Sequence, residues 1–167
     1  MIASIFSIDQ RGGLGNHGTL PWPNHPEDMA WFRDTTMNNV VVMGRRTYDD
    51  PKFPKPLKGR TVMVVTSSPI PGVMCITGDN IVQQIKDLKT RWPDKKIFII
   101  GGSRLLDETK DLCDEAYIAH RKGGYYTDVR VDMNKYLQGM RILSSAPSTD
   151  RTINFCVYKN INLFRPL

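Results

Sequence analysis

Short runs of β-branched and other apolar residues recur along the chain, over 2–8, 40–43, 61–66, 73–76, 97–100, 115–120, 140–143 and 153–158. Each has the length and residue types of a strand. Two of them, Val40-Val41-Val42-Met43 and Ile97-Phe98-Ile99-Ile100, are apolar without a break, the pattern of central parallel strands covered on both faces. Between the runs, residues 26–37, 45–49, 79–91 and 103–112 read as helices. In the third of these, Ile81, Ile85 and Leu88 recur at the spacing of a single buried stripe. Strands alternate with helices first, and strands without helices follow. That order predicts a mainly parallel sheet finished by antiparallel edge strands. Proline-rich stretches at 21–26 and 51–56 mark rigid loops. No repeat, low-complexity tract or linker interrupts the pattern, so a single domain is expected over 1–167.

Composition narrows the class. With 167 residues, 40% of them hydrophobic, the chain is large enough to bury one core. No apolar run approaches the length that spans a bilayer, and the alternating N-terminus reads as a first strand rather than a signal peptide. Cys75, Cys113 and Cys156 are odd in number and far apart, which suits reduced thiols in a cytoplasmic protein. His17, His25 and His120 lack metal-ligand spacing, so no metal is expected. The net charge of +6 admits either nucleic acid or small polyanions as partners. The densest basic stretch, 86–96, is interrupted by Asp87 and Asp94 and lies mostly on a helix face. It reads as a solvated surface, and neither nucleic acid nor membrane is expected as a partner.

The candidate chemistry begins at Leu20-Pro21-Trp22. Pro26 suits a first helical turn, Glu27 and Asp28 follow at the positive end of the helix, and Trp31 and Phe32 share the side of Asp28. One acid in an aromatic wall suits a flat, basic heterocycle held by paired hydrogen bonds. An ordinary surface helix would carry the same acids. Gly13-Leu14-Gly15-Asn16-His17-Gly18 matches a dinucleotide fingerprint in spacing only, because Pro21 and Pro23 block the helix that the fingerprint requires. A flexible loop that lies over ligands is the better reading. Ile100-Gly101-Gly102-Ser103-Arg104 and Met43-Gly44-Arg45-Arg46-Thr47 each take a buried strand into glycine and then a helix start, where free backbone N–H groups suit an anion. With Ser67 after a third strand, Arg45 and Arg104 form a candidate rim for phosphate. Purely structural turns would look similar. No Ser/His/Asp set, Cys/His set or paired carboxylate appears, which disfavours hydrolysis and fits redox chemistry carried by a cofactor.

In this order the motifs resemble those of the dihydrofolate reductase family: Ile5-Phe6-Ser7-Ile8-Asp9, Gly13-Leu14-Gly15, Leu20-Pro21-Trp22, Asp28, Met43 to Tyr48, Pro56 to Arg60, Thr66-Ser67-Ser68, Ile100 to Arg104 and Tyr117 to His120, with Asp128 beyond. The resemblance weakens after Asp132. It implies an α/β fold with an eight-stranded twisted sheet, mainly parallel, flanked by about four helices. It also implies NADPH-dependent reduction of dihydrofolate by a monomer, with antifolates as inhibitors. In that reading Asp28, Leu20 and Trp22 are catalytic, with Asp28 the lone essential acid. Ile5, Phe6, Ser7, Met29, Phe32, Ile100 and Tyr117 line the substrate, and Arg60 clamps its glutamate tail. Ser7, Leu14, Gly15, Gly44, Arg45, Arg46, Thr47, Val65, Thr66, Ser67, Ile100, Gly101, Gly102, Ser103, Arg104 and Leu105 line the cofactor, with a cis peptide between the paired glycines. The sequence departs from the family at three places. Ala119 stands where a threonine usually bonds the acid, Leu106 replaces an aromatic, and Val129 replaces a threonine. Two rivals remain open: a same-fold reductase of a pyrimidine ribitol or ribosyl phosphate, and a silent folate- or nucleotide-binding protein.

Overall fold

The computed structural model describes residues 1–15 and 18–161; Asn16, His17 and the chain after 161 lie outside the described residues. The first half runs β1 (Ile2–Ile8), β2 (Gly13–Gly15), α1 (Pro26–Thr36), β3 (Val40–Gly44), α2 (Arg45–Asp49), β4 (Thr61–Val65) and β5 (Met74–Ile76). The second runs α3 (Ile81–Arg91), β6 (Ile97–Gly101), α4 (Ser103–Thr109), β7 (Glu115–Arg121), β8 (Val129–Arg130), α5 (Met133–Tyr136), β9 (Met140–Pro147) and β10 (Ile153–Asn160). Eight strands form one sheet in the order β5-β4-β3-β6-β1-β7-β10-β9. The pairs from β5 to β7 are parallel, while β10 joins β7 and β9 antiparallel.

The unbroken apolar strands β3 and β6 are neighbours at the centre, and Val40 to Met43 and Ile97 to Ile99 are fully buried. Alternation along β1 divides the core. Ile2, Phe6 and Ile8 join α3, α4 and Tyr136 on one face. Ala3 and Ile5 join Phe98, Trp31 and Phe32 of α1 on the other. Because all six strands from β5 to β7 run the same way, their C-terminal ends share one edge. Gly44 lies opposite Val65, and Met43 opposite Gly101. Loops leaving that edge are where ligand groups gather in open α/β sheets.

Several boundaries differ from the sequence expectation. The last two strands each extend to eight residues, since their mutual hydrogen bonds continue through Ser144 and Ser145, where no apolar pattern exists. The helix expected over 103–112 becomes α4 followed by a 3-10 turn at Lys110–Leu112. There are five helices among the described residues rather than about four. The added one, α5, is four residues long and is capped by the Asp132 carboxylate, which accepts from the Lys135 N–H at 3.2 Å. The glycine-rich loop is also more ordered than expected. Its Gly13–Gly15 segment pairs antiparallel with β8 as a second, two-stranded sheet.

Candidate active site

Helix α1 places the acid. Pro26 opens it, Glu27 and Asp28 occupy its first turn, and Glu27 accepts the Thr149 N–H at 2.8 Å from the turn between β9 and β10. One turn further on, Trp31 stacks at 4.9 Å on Phe155 and at 6.3 Å on Tyr117. Phe32 packs between Ile5, Phe98 and Ile100. The helix is thereby pinned across β1, β7 and β10, with Asp28 held against the end of β1.

Two side chains from the sheet meet that carboxylate. The Ser7 hydroxyl lies 3.2 and 3.1 Å from the two Asp28 oxygens. Arg121, the last residue of β7, donates from Nη2 to Asp28 Oδ2 at 2.6 Å. The two side chains are 7% and 15% exposed, so this is a largely desolvated ion pair. The guanidinium also lies over the Trp22 ring, 4.9 Å from its centroid. The aromatic wall around Asp28 thus also contains a cation, Arg121, which the sequence reading did not include. Period-two alternation puts Tyr117, Ala119 and Arg121 on one face of β7, and that face turns toward α1.

Ser7 and Ala119 are partners in the parallel register of β1 and β7. The hydroxyl that the family usually carries at the position of Ala119 is here carried by its cross-strand neighbour. A donor for the acid is kept, but it arrives from the adjacent strand.

The loop in front of this pocket is organised by Asp9. Its carboxylate accepts the N–H groups of Arg11 and Gly13 at 2.8 Å and of Tyr125 at 3.0 Å. Burial opposes the Asp9 anion, but the bonds from Gly13, Tyr125 and Arg11, with the charge of Arg130, outweigh it and hold the carboxyl below its ordinary value. Gly13 is required at this point, since a Cβ there would lie 2.6 Å from Thr127 and 2.7 Å from the Asp9 carboxylate. Trp22 is buried against Tyr125, ring centroids 5.7 Å apart. Thr19 donates to Asp50 at 2.9 Å, anchoring the approach to the half-exposed Leu20. Leu14 packs at the margin of the core and Gly15 pairs with Val129.

The second part of the site is the sheet edge. The Gly101–Gly102 peptide is cis. A Cβ on Gly102 would meet nothing within 4 Å, and one on Gly44 would lie 3.6 Å from the Gly102 nitrogen. The side-chain position of Gly102 thus faces open space just beyond the end of β6, while Gly44 packs closely against the Gly101–Gly102 backbone. Arg45 reaches across to the end of β4, donating to Thr66 Oγ1 at 3.3 Å and to the Ser68 carbonyl at 3.2 Å. Thr66 is buried and Ser67 exposed. Arg46 and Thr47 follow Arg45 on α2, and Val65 and Ser103 are half-buried at the strand and helix ends. Arg104 is 91% exposed, beside a 630 Å³ cleft lined by residues that include Gly78, Asp79, Asn80 and Glu108. Both rim arginines already hold an acid one turn on, Arg45 to Asp49 at 2.9 Å and Arg104 to Glu108 at 2.8 Å. Exposed pairs of that kind contribute only about 0.3–0.5 kcal/mol, so a phosphate competes with them easily. Helices α2 and α4 have five and seven residues. Their free N–H groups act locally, without the dipole of a long helix.

Two of the residues expected to line the site turn their side chains away from it. Phe6 points to the opposite face of the sheet, edge-on to Tyr136 at 5.3 Å, because β1 alternates and Ile5 and Ser7 take the α1 side. Leu105 is buried under α4 in that same core. Both can offer only backbone to a ligand. Met29 is exposed next to Asp28. Arg60 sits beyond the C-terminal end of α1, donating to the Lys58 carbonyl at 3.0 Å and lying 3.4 Å from Thr36 Oγ1. Burial and the nearby charge of Arg33 lower its affinity for its proton, a condition that favours an incoming anion. Arg121 was not expected from sequence, although the alternation of β7 would have placed it on the Ser7 face.

The fold and site define an α/β protein with a two-part cleft. An acid-and-aromatic pocket opens beside a glycine-lined sheet edge suited to a phosphorylated ligand. The family model described as Dihydrofolate reductase matches residues 1–156, and the chain belongs to that family. It is 28% identical over 148 residues to the dihydrofolate reductase of Mycoplasma genitalium, covering 82% of this chain and 88% of that enzyme. It is 32% identical over 119 residues to that of Bacillus subtilis, covering 71% and 67%. Among solved structures, a dihydrofolate reductase from Enterococcus faecalis complexed with NADP(H) and RAB-propyl shares the fold, with a TM-score of 0.78 at 24% identity over 95% of each chain. No helix among the described residues is long and apolar enough to cross a membrane.

Proposed function

We propose that the chain reduces 7,8-dihydrofolate to 5,6,7,8-tetrahydrofolate with NADPH. The observation that carries this reading is the Asp28 carboxylate, set on α1 beside Trp31 and Phe32 and braced by Ser7. A carboxylate in that position accepts from N3–H and the 2-amino group of a pterin, while Ile5, Phe32, Ile100 and Tyr117 cover the ring faces. Arg60 takes the glutamate tail, which its planar fork suits. Met29 stands at the mouth.

The cofactor fits the sheet edge. A Cβ on Gly102 would meet nothing within 4 Å, and those on Gly44 and Gly101 would make only ordinary contacts, with Ser103 and Thr47 beside them. Arg45, Arg46, Thr66, Ser67 and Arg104 are positioned for the phosphates, with Val65 flanking the adenosine. The bound cofactor supplies the hydride, which is received at pterin C6, and a proton is added at N5. Leu14, Gly15, Leu20 and Trp22 exclude water over the reacting carbons, and Ser7 keeps Asp28 oriented. Backbone at Phe6 and Leu105 completes the walls. In this reading the protein acts as a monomer, and antifolates bind at the Asp28 pocket. Its three free cysteines, two of them buried, suit the reducing cytoplasm.

The loss of NADPH absorbance with and without dihydrofolate tests the proposal. Oxidation that depends on dihydrofolate supports it. Oxidation only with a pyrimidine ribosyl or ribitol phosphate replaces it with the related reductase, and binding of both ligands without turnover would leave a silent binding protein.

A further inference from the structure

Arg121 is the feature that the reaction does not require. It ends β7, meets Asp28 through a single nitrogen at 2.6 Å and covers the Trp22 ring. Its Nε is buried without a hydrogen-bond partner among the described residues, so the guanidinium is not satisfied as a fork. We propose that Arg121 is a specificity-determining residue that neutralises Asp28 while leaving its hydrogen-bonding capacity, so that the pocket gives up most of the preference for a protonated 2,4-diamino ring over a neutral 2-amino-4-oxo ring. This inference rests on the folate reading above.

Charge and lone pairs act separately at Asp28. A carboxylate has about four lone-pair sites. Arg121 takes one, and the Ser7 hydroxyl takes another, shared between the two oxygens. Enough remain for the two donors of an aminopyrimidine edge. A neutral ring needs only those lone pairs. A ring protonated at N1 gains its advantage from the net charge of the acid, and in this protein that charge is already balanced at 2.6 Å in a site with little water. The 4-amino-to-4-oxo preference that an isolated carboxylate confers is therefore suppressed. The Trp22 ring under the guanidinium keeps the cation in place when Asp28 turns to a ligand.

The test is a matched pair of probes, 2,4-diamino-6,7-dimethylpteridine and its 2-amino-4-oxo counterpart, titrated by calorimetry into the NADPH-bound protein. The unmutated protein is expected to prefer the diamino ring by less than about tenfold. Arg121→Met keeps bulk over Trp22 and removes the charge. It is expected to tighten the diamino ring by about tenfold or more, with the oxo ring changed by less than about threefold. Arg121→Lys keeps the cation and is expected to retain the parental ratio. Equal effects of Arg121→Met on both rings, or parental behaviour toward both, overturn the inference. If Arg121→Met does not fold, the unmutated protein decides alone, and a diamino preference above about tenfold overturns it. A parent that binds neither ring removes the folate reading and this inference together. A parent that turns over dihydrofolate but strongly prefers the diamino ring removes the inference only.

Discussion

At the scale of single residues, the acid is held by a donor that has changed strands. Ser7 bonds Asp28 from β1, and its register partner Ala119 offers only a methyl group from β7. A hydrogen bond to an ionised group contributes about 1.5–3 kcal/mol, which corresponds to about 10- to 150-fold in a rate or affinity that depends on it. Ser7→Ala is therefore expected to lower kcat/KM for dihydrofolate by at least tenfold while leaving NADPH affinity within about threefold. Adding Ala119→Thr to that variant restores most of the loss, since the two positions face the same carboxylate. A double variant no better than Ser7→Ala would show that position 119 does not reach the acid. Ala119 and Ser7 can both be read from the sequence, but their exchange of roles depends on strand register, which one sequence does not reveal.

At the scale of elements, Asp9 joins three segments: the end of β1, the Gly13–Gly15 strand and the Tyr125 loop. Its folded-state carboxyl titrates below the ordinary value of 3.8. The stabilisation it provides is thus complete above that pH and fades as the pH falls through the lower folded value. Asp9→Asn is expected to cost about 1–3 kcal/mol near neutrality. The gap between the two proteins in thermal unfolding should narrow as the solution is acidified below pH 3.8; a gap independent of pH would assign the loss to packing. The sheet edge supports another expectation. Arg45, Ser67 and Arg104 follow the ends of three strands that run the same way, and a 2′-phosphate bound there would exchange for the weak pairs with Asp49 and Glu108. Catalytic efficiency is expected to favour NADPH over NADH by about tenfold or more. Arg45→Ala should erase most of that preference with less effect on NADH; equal use of both cofactors by the unmutated protein would refute the rim.

At the scale of the whole molecule, the sheet was legible because its signals are local and redundant. Val40 to Met43 and Ile97 to Ile99 are buried on both faces, and such strands show themselves as unbroken apolar runs. The pocket was legible where a helix start, an acid and aromatic spacing coincide, as at Pro26, Asp28 and Trp31. What escaped depends on partners distant in sequence. The pairing of Gly13–Gly15 with Val129–Arg130 involves too few residues to carry a period. Helix α5 is shorter than any window that resolves helical periodicity. Arg121, followed by Lys122-Gly123-Gly124, reads as a turn cation until the strand is seen to include it. At Phe6 the family motif does not reveal that alternation sends the side chain away from Ser7 and toward Tyr136, leaving only backbone on the Asp28 side.

In the proposed reaction, Asp28 is the group that holds the ring for reduction. The most direct measurement is the single-turnover rate of dihydrofolate reduction by Asp28→Asn across pH, with NADPH bound. The amide presents a donor to the ring's own donors and leaves the Arg121 guanidinium unpaired. Cofactor affinity is expected to persist, with reduction slowed by about a hundredfold or more at neutral pH. The rate should recover as the pH falls and dihydrofolate arrives already protonated at N5. A near-parental rate at neutral pH, in a variant that still binds NADPH, would contradict both the assignment of Asp28 and the chemistry built on it.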